Sequence, residues 1–399
     1  MKILHTADLH LGIKLEDRSR IEEQADFLTQ LATIADQHQI DLILLAGDIY
    51  HTANPSSDSE RLFYRSLKTL SKNGTRPIFI IAGNHDHPER LSSAQPLTLD
   101  QGIIFAKTPR DTLPIDTYEH YTIADSGPGF AEIHLKGEQA VILFMPYPSD
   151  VTLNEIISTH LTESEAQKDY SQKVGQLFAQ NTHKYRKDTI NLAMGHFHIS
   201  GATASTDPKS ERDIVIGGAY AVNLHHLPKE AQYIAMGHLH RPQQMGNAYY
   251  SGSPIAYSLS EADHNKSVNI LDITPSEVSV SQIPIVPYKP IHRVKVNSIE
   301  NAFELIEAKV NDHCWIYLDI NTPRVLTTSE IKALRKLHKD IVVIRPHLMG
   351  TDDDPATGET LPELSIEDEF HAFYKSKREG TSPSPETLAL FLKLTQEAQ

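Results

Sequence analysis

The first hundred residues alternate between short continuous apolar runs and segments whose apolar residues recur at helical spacing. Apolar runs at 2–7, 41–46 and 77–82 predict strands that are covered on both faces. The intervening segments 16–38 and 57–72 have the period of an amphipathic helix. Because strands and helices alternate along the chain, we expect right-handed crossovers and a parallel sheet.

The pattern changes after residue 100, where predicted strands follow one another without intervening helices. The first three are expected at 118–123, 130–135 and 140–145, and helices are expected near 151–160 and 162–182. Further strands are predicted at 189–193, 233–235, 248–251, 267–273 and 278–283. This order indicates an α/β (α+β) protein with two packed sheets flanked by helices.

A proline-rich segment at 284–290 divides the pattern and predicts a domain boundary. Beyond it, strands near 292–296, 315–320 and 341–344 alternate with helices near 299–310 and 328–338, which predicts a compact β-α-β-α-β unit. The expected organisation is a main domain at 1–283, a small domain at 291–350, a linker at 351–364 and a helical tail at 365–399.

Composition narrows the class of protein. The chain has 399 residues, and its 37 basic and 52 acidic side chains give a net charge of −15. That charge argues against a free-standing nucleic-acid binder with a broad basic face, but permits one that holds phosphate through metals or uses a partner's surface. One cysteine, Cys314, excludes an internal disulfide. With no signal-peptide pattern and no apolar run of about 18 residues, we expect a cytoplasmic protein without a membrane segment.

Side chains of the kinds that bind metal ions follow five of the predicted strands. They are Asp8 and His10, then Asp48, then Asn84 with His85 and Asp86, then His196, and finally His238 and His240. A lone Asp-x-His, Gly-Asp or His-x-His is usually incidental, but ligand crevices form at the carboxyl ends of strands in open α/β sheets. Their joint occurrence at strand ends therefore predicts a metal centre.

Counting the donors indicates two divalent metal ions. The seven candidate ligands Asp8, His10, Asp48, Asn84, His196, His238 and His240 exceed the usual needs of one ion. If Asp48 bridges, each ion receives four protein ligands, in a mixture of N and O donors that suits Mn²⁺, Fe²⁺ or Zn²⁺. Such a pair predicts phosphoester hydrolysis. His85 is surplus to the ligand count, so we expect it to be catalytic, with Asp86 fixing its orientation.

Together these motifs resemble those of the calcineurin-like metallophosphoesterases, and more specifically the SbcD family of nuclease subunits, which is related to the Mre nucleases. The resemblance rests on Asp8-Leu9-His10, Gly47-Asp48, Gly83-Asn84-His85-Asp86, Gly195-His196 and His238-Leu239-His240, with 54–55, 60–64, 251–254 and the tail around 369–374. It implies a two-sheet αββα metallophosphoesterase core with a small cap domain and a C-terminal helical tail.

The resemblance also implies an activity and partners. It implies a Mn²⁺-dependent DNA nuclease of repair and recombination, acting as an ATP-gated double-strand exonuclease and a single-strand endonuclease. The expected assembly is a homodimer within a heterotetramer that contains two SbcC-type, SMC-like coiled-coil ATPase subunits. Because the sequence lacks a P-loop, the ATPase lies on another polypeptide. We expect the tail helices to dock that partner, the alternative being that they pack on this protein's own cap.

One position departs from many bacterial members of the family, which have Asp where this chain has His51. Archaeal and eukaryotic relatives have His there. We expect an accessory role for His51 outside the ligand set, with an effect on the balance between exonuclease and endonuclease action.

Two other functions share much of this sequence evidence. A stand-alone metallophosphoesterase acting on nucleotides or other small phosphoesters would have every candidate ligand, and only the cap and tail argue against it. A non-catalytic scaffold subunit would retain the fold, but the intact ligand set argues against a vestigial site.

Overall fold

The computed structural model describes residues 1–149, 163–204 and 221–348, together with positions 370, 374, 383, 384, 387, 388 and 391. Met1–His347 form one compact unit and Leu348–Gln399 form a second. The predicted helix at 151–160 and the predicted linker at 351–364 lie outside the described residues. Among the residues that are described, no helix has both the length and the apolar character needed to cross a bilayer.

The first sheet contains the three apolar runs that open the sequence. In the described part of the chain it has six strands, ordered across the sheet as Val278–Pro284, Ser267–Ile273, Lys2–Thr6, Leu42–Ala46, Ile78–Ile81 and Ile103–Ala106. The last four strands are mutually parallel. The predicted parallel sheet is therefore confirmed. Two further strands lie at one edge of it, and each of them is antiparallel to the strand before it in the sheet.

The second sheet contains the strands predicted after residue 100. Over the described ranges it has eight strands, in the order Gln243–Met245, Ala248–Tyr250, Tyr233–Gly237, Ile190–His196, Glu138–Met145, Phe130–Leu135, Tyr121–Gly127 and Asp116–Thr117. Its central strands, Glu138–Met145, Ile190–His196 and Tyr233–Gly237, are parallel to one another. Each sheet thus contains a group of parallel strands whose carboxyl ends lie along one edge of that sheet.

The two sheets pack face to face and helices cover their outer faces. Side chains of both inner faces share one buried cluster, which includes Leu44 and Phe79 from the first sheet and Ile142 and Leu192 from the second. Helices Ile21–Gln37 and Ser57–Ser71 cover the first sheet. Helix Glu163–Ala179 covers the second sheet. These four layers confirm the expected αββα arrangement.

A separate sheet of three strands, with two helices, follows the proline-rich segment. Strands Ile291–Val296, Trp315–Thr322 and Ile341–Leu348 alternate with helices Ile299–Ala308 and Thr328–Leu337. The cap contacts the αββα layers through Trp315, whose indole N–H donates a 2.7 Å hydrogen bond to the buried Glu23 carboxylate. Arg20 pairs with the same carboxylate, and the Lys289 ammonium lies 3.5 Å from the centre of the Trp315 ring.

Several element boundaries differ from those predicted. The first helix begins at Ile21 instead of residue 16, because Lys14–Leu15 and Arg18–Ser19 form a hairpin whose turn places Glu16 at φ 49°. The strand expected at 118–123 is Tyr121–Gly127. Shorter elements are the helices Pro88–Leu91 and Gln95–Thr98 and the paired strands His198–Ile199 and Ala221–Val222.

Described positions of the tail support the expected helices in part. Phe370, Tyr374, Leu388 and Phe391 are helical. The rings of Phe370 and Phe391 stack, with centroids 3.9 Å apart and an interplanar angle of 8°. One aromatic residue near each end of the tail, Phe370 and Phe391, thus contacts the other.

Candidate metal centre

The register of the first sheet brings the early candidate ligands to one edge. Thr6 pairs with Leu45, and Ala46 pairs with Ile81, so the carboxyl ends of the three strands are level. The candidate ligands Asp8, His10, Asp48 and Asn84 follow these ends within a few residues. Alignment of parallel strands is thus what gathers groups that are distant in sequence.

The strands of the second sheet end beside the same edge of the first sheet and place their candidate ligands there. His196 pairs with Gly237, so His196 and His238 lie at level strand ends. Nδ1 of His196 donates a 2.8 Å hydrogen bond to the Ala46 carbonyl of the first sheet. The His238 backbone N–H donates to Oδ1 of Asp8 at 2.9 Å. These contacts join the two strand edges directly.

One group of donors, the His10 nest, consists of Asp8, His10, Asp48 and His240. Nε2 of His10 lies 3.1 Å from Nε2 of His240 and 3.5 Å from Oδ2 of Asp48. Oδ2 of Asp8 is buried, and no hydrogen-bond partner for it is present in the described part of the chain. Two facing imidazole nitrogens beside buried carboxylate oxygens form a donor set that suits a divalent cation.

A second group, the His196 nest, consists of Asp48, Asn84, His196 and His238. Oδ1 of Asn84 lies 3.0 Å from Nε2 of His196 and 3.0 Å from Nδ1 of His238. Nε2 of His196 also lies 3.4 Å from Oδ2 of Asp48. The same Asp48 oxygen therefore faces both nests, which is the arrangement expected of a bridging ligand.

The backbone at the ligands is held in unusual conformations. Asp8, His10, Asp48 and His238 have φ of 56°, 41°, 51° and 96°, in the left-handed region that non-glycine residues seldom adopt. Each such residue costs about 1–3 kcal/mol, and such residues cluster at functional sites. The surrounding structure therefore holds these four residues in conformations that reduce local stability and that position the candidate ligands.

The glycine before Asn84 allows two ligand loops to approach closely. A Cβ on Gly83 would lie 2.2 Å from the backbone nitrogen of Asp48 and 2.2 Å from its Oδ1. Any larger residue would therefore displace the shared carboxylate. This explains in steric terms why Gly precedes the ligand in the Gly-Asn-His-Asp motif.

Burial and charge set the protonation of the centre. Burial tends to raise the pKa of Asp48, but His196, His85 and His10 outweigh burial and hold this pKa well below its usual range. Burial tends to lower the pKa of His196, but the Asp48 carboxylate raises it to about 9. Burial raises the pKa of Asp8 to about 6. The Asp48 carboxylate thus keeps its negative charge despite burial, in a place suited to cations.

His85 lies against the His10 nest. Its backbone N–H donates to Oδ1 of Asp48 at 2.8 Å, and its Nδ1 donates to the carbonyl oxygen of His51 at 2.6 Å. The His85 and His10 rings meet edge to face at 4.7 Å. One donor nitrogen each of His10, His51 and His85 lies within 4.8 Å of the others. The structure therefore places His51 beside the expected catalytic residue.

Asp86 has a different contact from the one expected. Its carboxylate accepts hydrogen bonds from the backbone N–H groups of Ile49, Tyr50 and Gly83, at 3.1, 2.9 and 2.9 Å. We expected Asp86 to orient the His85 imidazole, but its carboxylate instead holds the two loops together. The His85 ring is held by the carbonyl oxygen of His51.

Sequence reasoning missed two buried groups that support the His10 nest. The Tyr257 hydroxyl donates to the carbonyl oxygens of Asp8 and Leu9, at 2.8 and 2.6 Å. Glu261 lies behind His240, with Oε1 3.0 Å from Nδ1. Neither residue belongs to a spaced motif, so no sequence signal marked them. His5 lies in the first strand outside the donor cluster, where it is buried and its Nδ1 lies 2.8 Å from the Tyr233 hydroxyl.

Two clefts border the donor cluster. One of about 360 Å³ lies beside His51 and includes Lys14 of the hairpin and Tyr317 and Arg345 of the cap. Another, of about 490 Å³, lies beside Asn84 and is lined by residues including His87, Lys107, Arg110 and Tyr147. Cationic side chains therefore line each cleft. One cleft also includes the candidate ligand Asn84, and the other includes His51.

The two-sheet sandwich, with metal-type donors from both sheets at one edge, defines a metal-dependent phosphoesterase. The calcineurin-like phosphoesterase family model matches residues 1–242. The chain is 41% identical to the SbcD subunit of the SbcCD nuclease of Bacillus subtilis over 400 residues, covering 99% of this chain and 97% of that protein. It is 28% identical to the SbcD subunit of the SbcCD nuclease of Staphylococcus epidermidis over 350 residues, covering 86% and 85%.

Among solved structures, a dimetal phosphatase from Danio rerio aligns with a TM-score of 0.41 and 12% identity, covering 72% of this chain and 99% of that one. The chain belongs to the SbcD family of calcineurin-like phosphoesterases. Its donor set fits two divalent metal ions, since Asp8, His10 and His240 gather in one group and Asp8, Asp48 and His196 in another.

Proposed function

We propose that this chain is the nuclease subunit of an SbcC–SbcD-type complex and hydrolyses DNA phosphodiesters with two Mn²⁺ ions. The observation that carries the proposal is the position of Asp48 Oδ2, 3.5 Å from Nε2 of His10 and 3.4 Å from Nε2 of His196. One oxygen shared by two donor nests supports a paired-metal site. The name of the 41%-identical relative, a nuclease subunit, supports a nucleic acid as the substrate.

The proposed ligands divide between the nests. Asp8, His10, Asp48 and His240 would hold one ion, and Asp48, Asn84, His196 and His238 would hold the other. When bound, two such ions lower the pKa of a water molecule and neutralise the charge of an in-line displacement at phosphorus. Mn²⁺ is the proposed ion because the ligands are N and O donors without thiolate, and because the resemblance implies it.

His85 is the proposed catalytic residue. Its Nδ1 donates to the His51 carbonyl, which leaves Nε2 as the nitrogen that gives a proton to the leaving oxygen. The Asp48 carboxylate would stabilise the protonated ring, since the His85 ring is one of the groups whose charge lowers the pKa of Asp48. His51 would position His85, and Asp86 would hold the loops on which both residues lie.

The clefts support a polymeric substrate in preference to a small ester. A strand that crosses the donor cluster would lie against Lys14 and Arg345 on one side and, on the other, against Arg110 and against Lys107 in its ion pair with Glu89. These local cations offer phosphate contacts despite the net charge of −15. Further basic surface would come from the ATPase partner.

The assembly proposed is a heterotetramer of two copies of this chain and two SbcC-type coiled-coil ATPases, in which ATP gates double-strand exonuclease action. The subunit naming of the relatives supports a complex with such a partner. We further propose the division into a nuclease domain at 1–283, a cap at 291–350, a linker at 351–364 and a docking tail at 365–399. We propose that the complex works in the cytoplasm.

Nuclease assays test this function against the small-ester alternative. The purified chain, alone and with its ATPase partner, is incubated with Mn²⁺ and either linear duplex, single-stranded circular DNA or a panel of nucleotides and other small phosphoesters. DNA cleavage that requires Mn²⁺ and exceeds small-ester turnover supports the proposal. Rapid small-ester turnover without DNA cleavage would overturn it.

A further inference from the structure

A buried carboxylate lies directly behind one proposed metal ligand. Glu261 ends the short 3-10 turn Leu259–Glu261 and is fully buried. Its Oε1 lies 3.0 Å from Nδ1 of His240. The opposite nitrogen of that ring, Nε2, lies 3.1 Å from Nε2 of His10. The carboxylate and the His10 nest therefore lie on opposite sides of one imidazole.

Other side chains fix the Glu261 carboxylate. Its Oε2 accepts hydrogen bonds from the Lys266 ammonium at 2.5 Å and from the Ser253 hydroxyl at 3.3 Å. Lys266 is itself almost fully buried, and it also donates to the His240 carbonyl oxygen at 3.2 Å. The Lys266 charge balances that of Glu261, so the carboxylate stays ionised and aligned inside the protein.

An ionised acceptor at Nδ1 determines which nitrogen of His240 carries the proton. The carboxylate has no proton to give, so Nδ1 donates and Nε2 presents its lone pair toward the His10 nest. Carboxylates behind ligating histidines also raise the basicity of the ligand nitrogen. In the other nest, Nδ1 of His196 donates to a neutral acceptor, the Ala46 carbonyl.

We propose that Glu261 is a positioning residue that orients His240 as a metal ligand and sets the affinity of the His10 nest without affecting the His196 nest. This inference rests on the proposed two-metal function and assigns a role to a residue outside the ligand set. It differs from a purely structural ion pair, which would affect folding and leave site affinities equal.

The test measures Mn²⁺ binding by calorimetric titration and by electron paramagnetic resonance of free Mn²⁺. Two variants are compared with the wild type: Glu261→Gln, and the double variant Glu261→Gln with Lys266→Met, which leaves no buried charge without a partner. We expect one binding site to weaken by about 10–100-fold in both variants while the other keeps its wild-type affinity. Glu23→Gln, at a buried ion pair in which neither side chain hydrogen-bonds to a proposed ligand, serves as the matched control and retains both affinities.

Thermal unfolding of the metal-free variants separates positioning from folding. A weakened site in a double variant whose metal-free melting temperature equals that of the wild type supports the proposal. Wild-type affinity at both sites, or equal weakening of both sites together with a lower melting temperature, would overturn it. A wild type that binds fewer than two Mn²⁺ would overturn the two-metal function and this inference with it, whereas the other failures leave that function standing.

Discussion

The backbone N–H of His85 donates a hydrogen bond to Oδ1 of Asp48 at 2.8 Å. The expected catalytic residue thus fixes one oxygen of the shared carboxylate through its main chain, while the other oxygen, Oδ2, faces both donor nests. Because a backbone group makes this bond, the side chain of His85 is separable from metal binding.

His85→Ala is expected to retain both metals and lose about 100-fold or more of the cleavage rate, since only the proton donor is removed. Metal content by elemental analysis and DNA cleavage rates at saturating Mn²⁺ check both expectations. His183→Ala removes an exposed imidazole outside the site and should change neither quantity. Loss of metal from His85→Ala would make His85 a ligand and contradict the assignment.

Asp48→Asn and Asn84→Ala should have different metal contents. Asp48 faces both nests, so removing its charge should weaken the binding of both ions. Asn84 contacts the His196 nest, so its loss should weaken the binding of one ion. After dialysis, Asn84→Ala should retain about one Mn²⁺ per chain and Asp48→Asn fewer. Full occupancy of two sites in Asp48→Asn would exclude the bridging role.

The gathering of the candidate ligands was predictable because parallel strands place their carboxyl ends at one edge, so position along the chain translates into position in space. The contacts of Asp86 and Glu261 were not predictable in this way. Asp86 binds backbone N–H groups of a loop far away in sequence, and Glu261 meets His240 only after the chain folds back. Hydrogen bonds of this kind depend on tertiary placement and leave no periodic signal.

Element ends were harder to predict than element types. The sequence pattern predicts a first helix that starts at Glu16, because Glu16 and its neighbours continue a polar helical pattern. In the structure the left-handed φ of Glu16 turns the chain into a hairpin before Ile21. The last cap strand extends to Leu348 through Pro346, beyond its predicted end. It lies at the edge of the cap sheet, where proline's missing N–H is tolerated.

Glu23→Ala should loosen the contact between cap and core. It removes the buried acceptor of the Trp315 indole N–H and the partner of Arg20. We expect a red shift of intrinsic tryptophan fluorescence, which reports on Trp315 alone because the sequence has one Trp, and a loss of about 1–3 kcal/mol of stability. Glu22→Ala, at an exposed neighbouring position, is the control; an unchanged spectrum in Glu23→Ala would contradict the role assigned to this contact.

Glu132→Gln tests the pH dependence of an ion pair. Hydrogen bonds from Arg186, at 2.8 Å to each oxygen, are the largest cause that lowers the pKa of Glu132 to about 2. A lowered folded-state pKa stabilises the protein above the unfolded pKa of about 4.5, and this stability is lost as pH falls toward 2.

Because Arg186 is partly exposed, the expected loss in Glu132→Gln is about 1 kcal/mol at pH 7. The difference in urea midpoint between wild type and variant should therefore shrink between pH 7 and pH 3. Glu119→Gln, with a largely exposed carboxylate, should show no such trend. A difference that grows on acidification would refute the predicted sign of the pH dependence.

Deletion of residues 365–399 should abolish binding of a co-expressed SbcC-type ATPase while leaving the metal content unchanged. The stacked rings of Phe370 and Phe391 lie in this segment, so Phe391→Ala should weaken the same binding without removing chain. Affinity capture and size-exclusion chromatography measure complex formation. Unchanged complex formation by the deletion would refute docking through the tail.

His10 and His240 meet at 3.1 Å although 230 residues separate them in the chain. During biosynthesis the amino-terminal strands therefore emerge from the ribosome long before the imidazoles that complete either donor nest. A nascent or prematurely terminated polypeptide would hold neither cation, and it would have no capacity to cut nucleic acid. The topology thus makes the donor cluster depend on residues translated as late as the end of the second sheet.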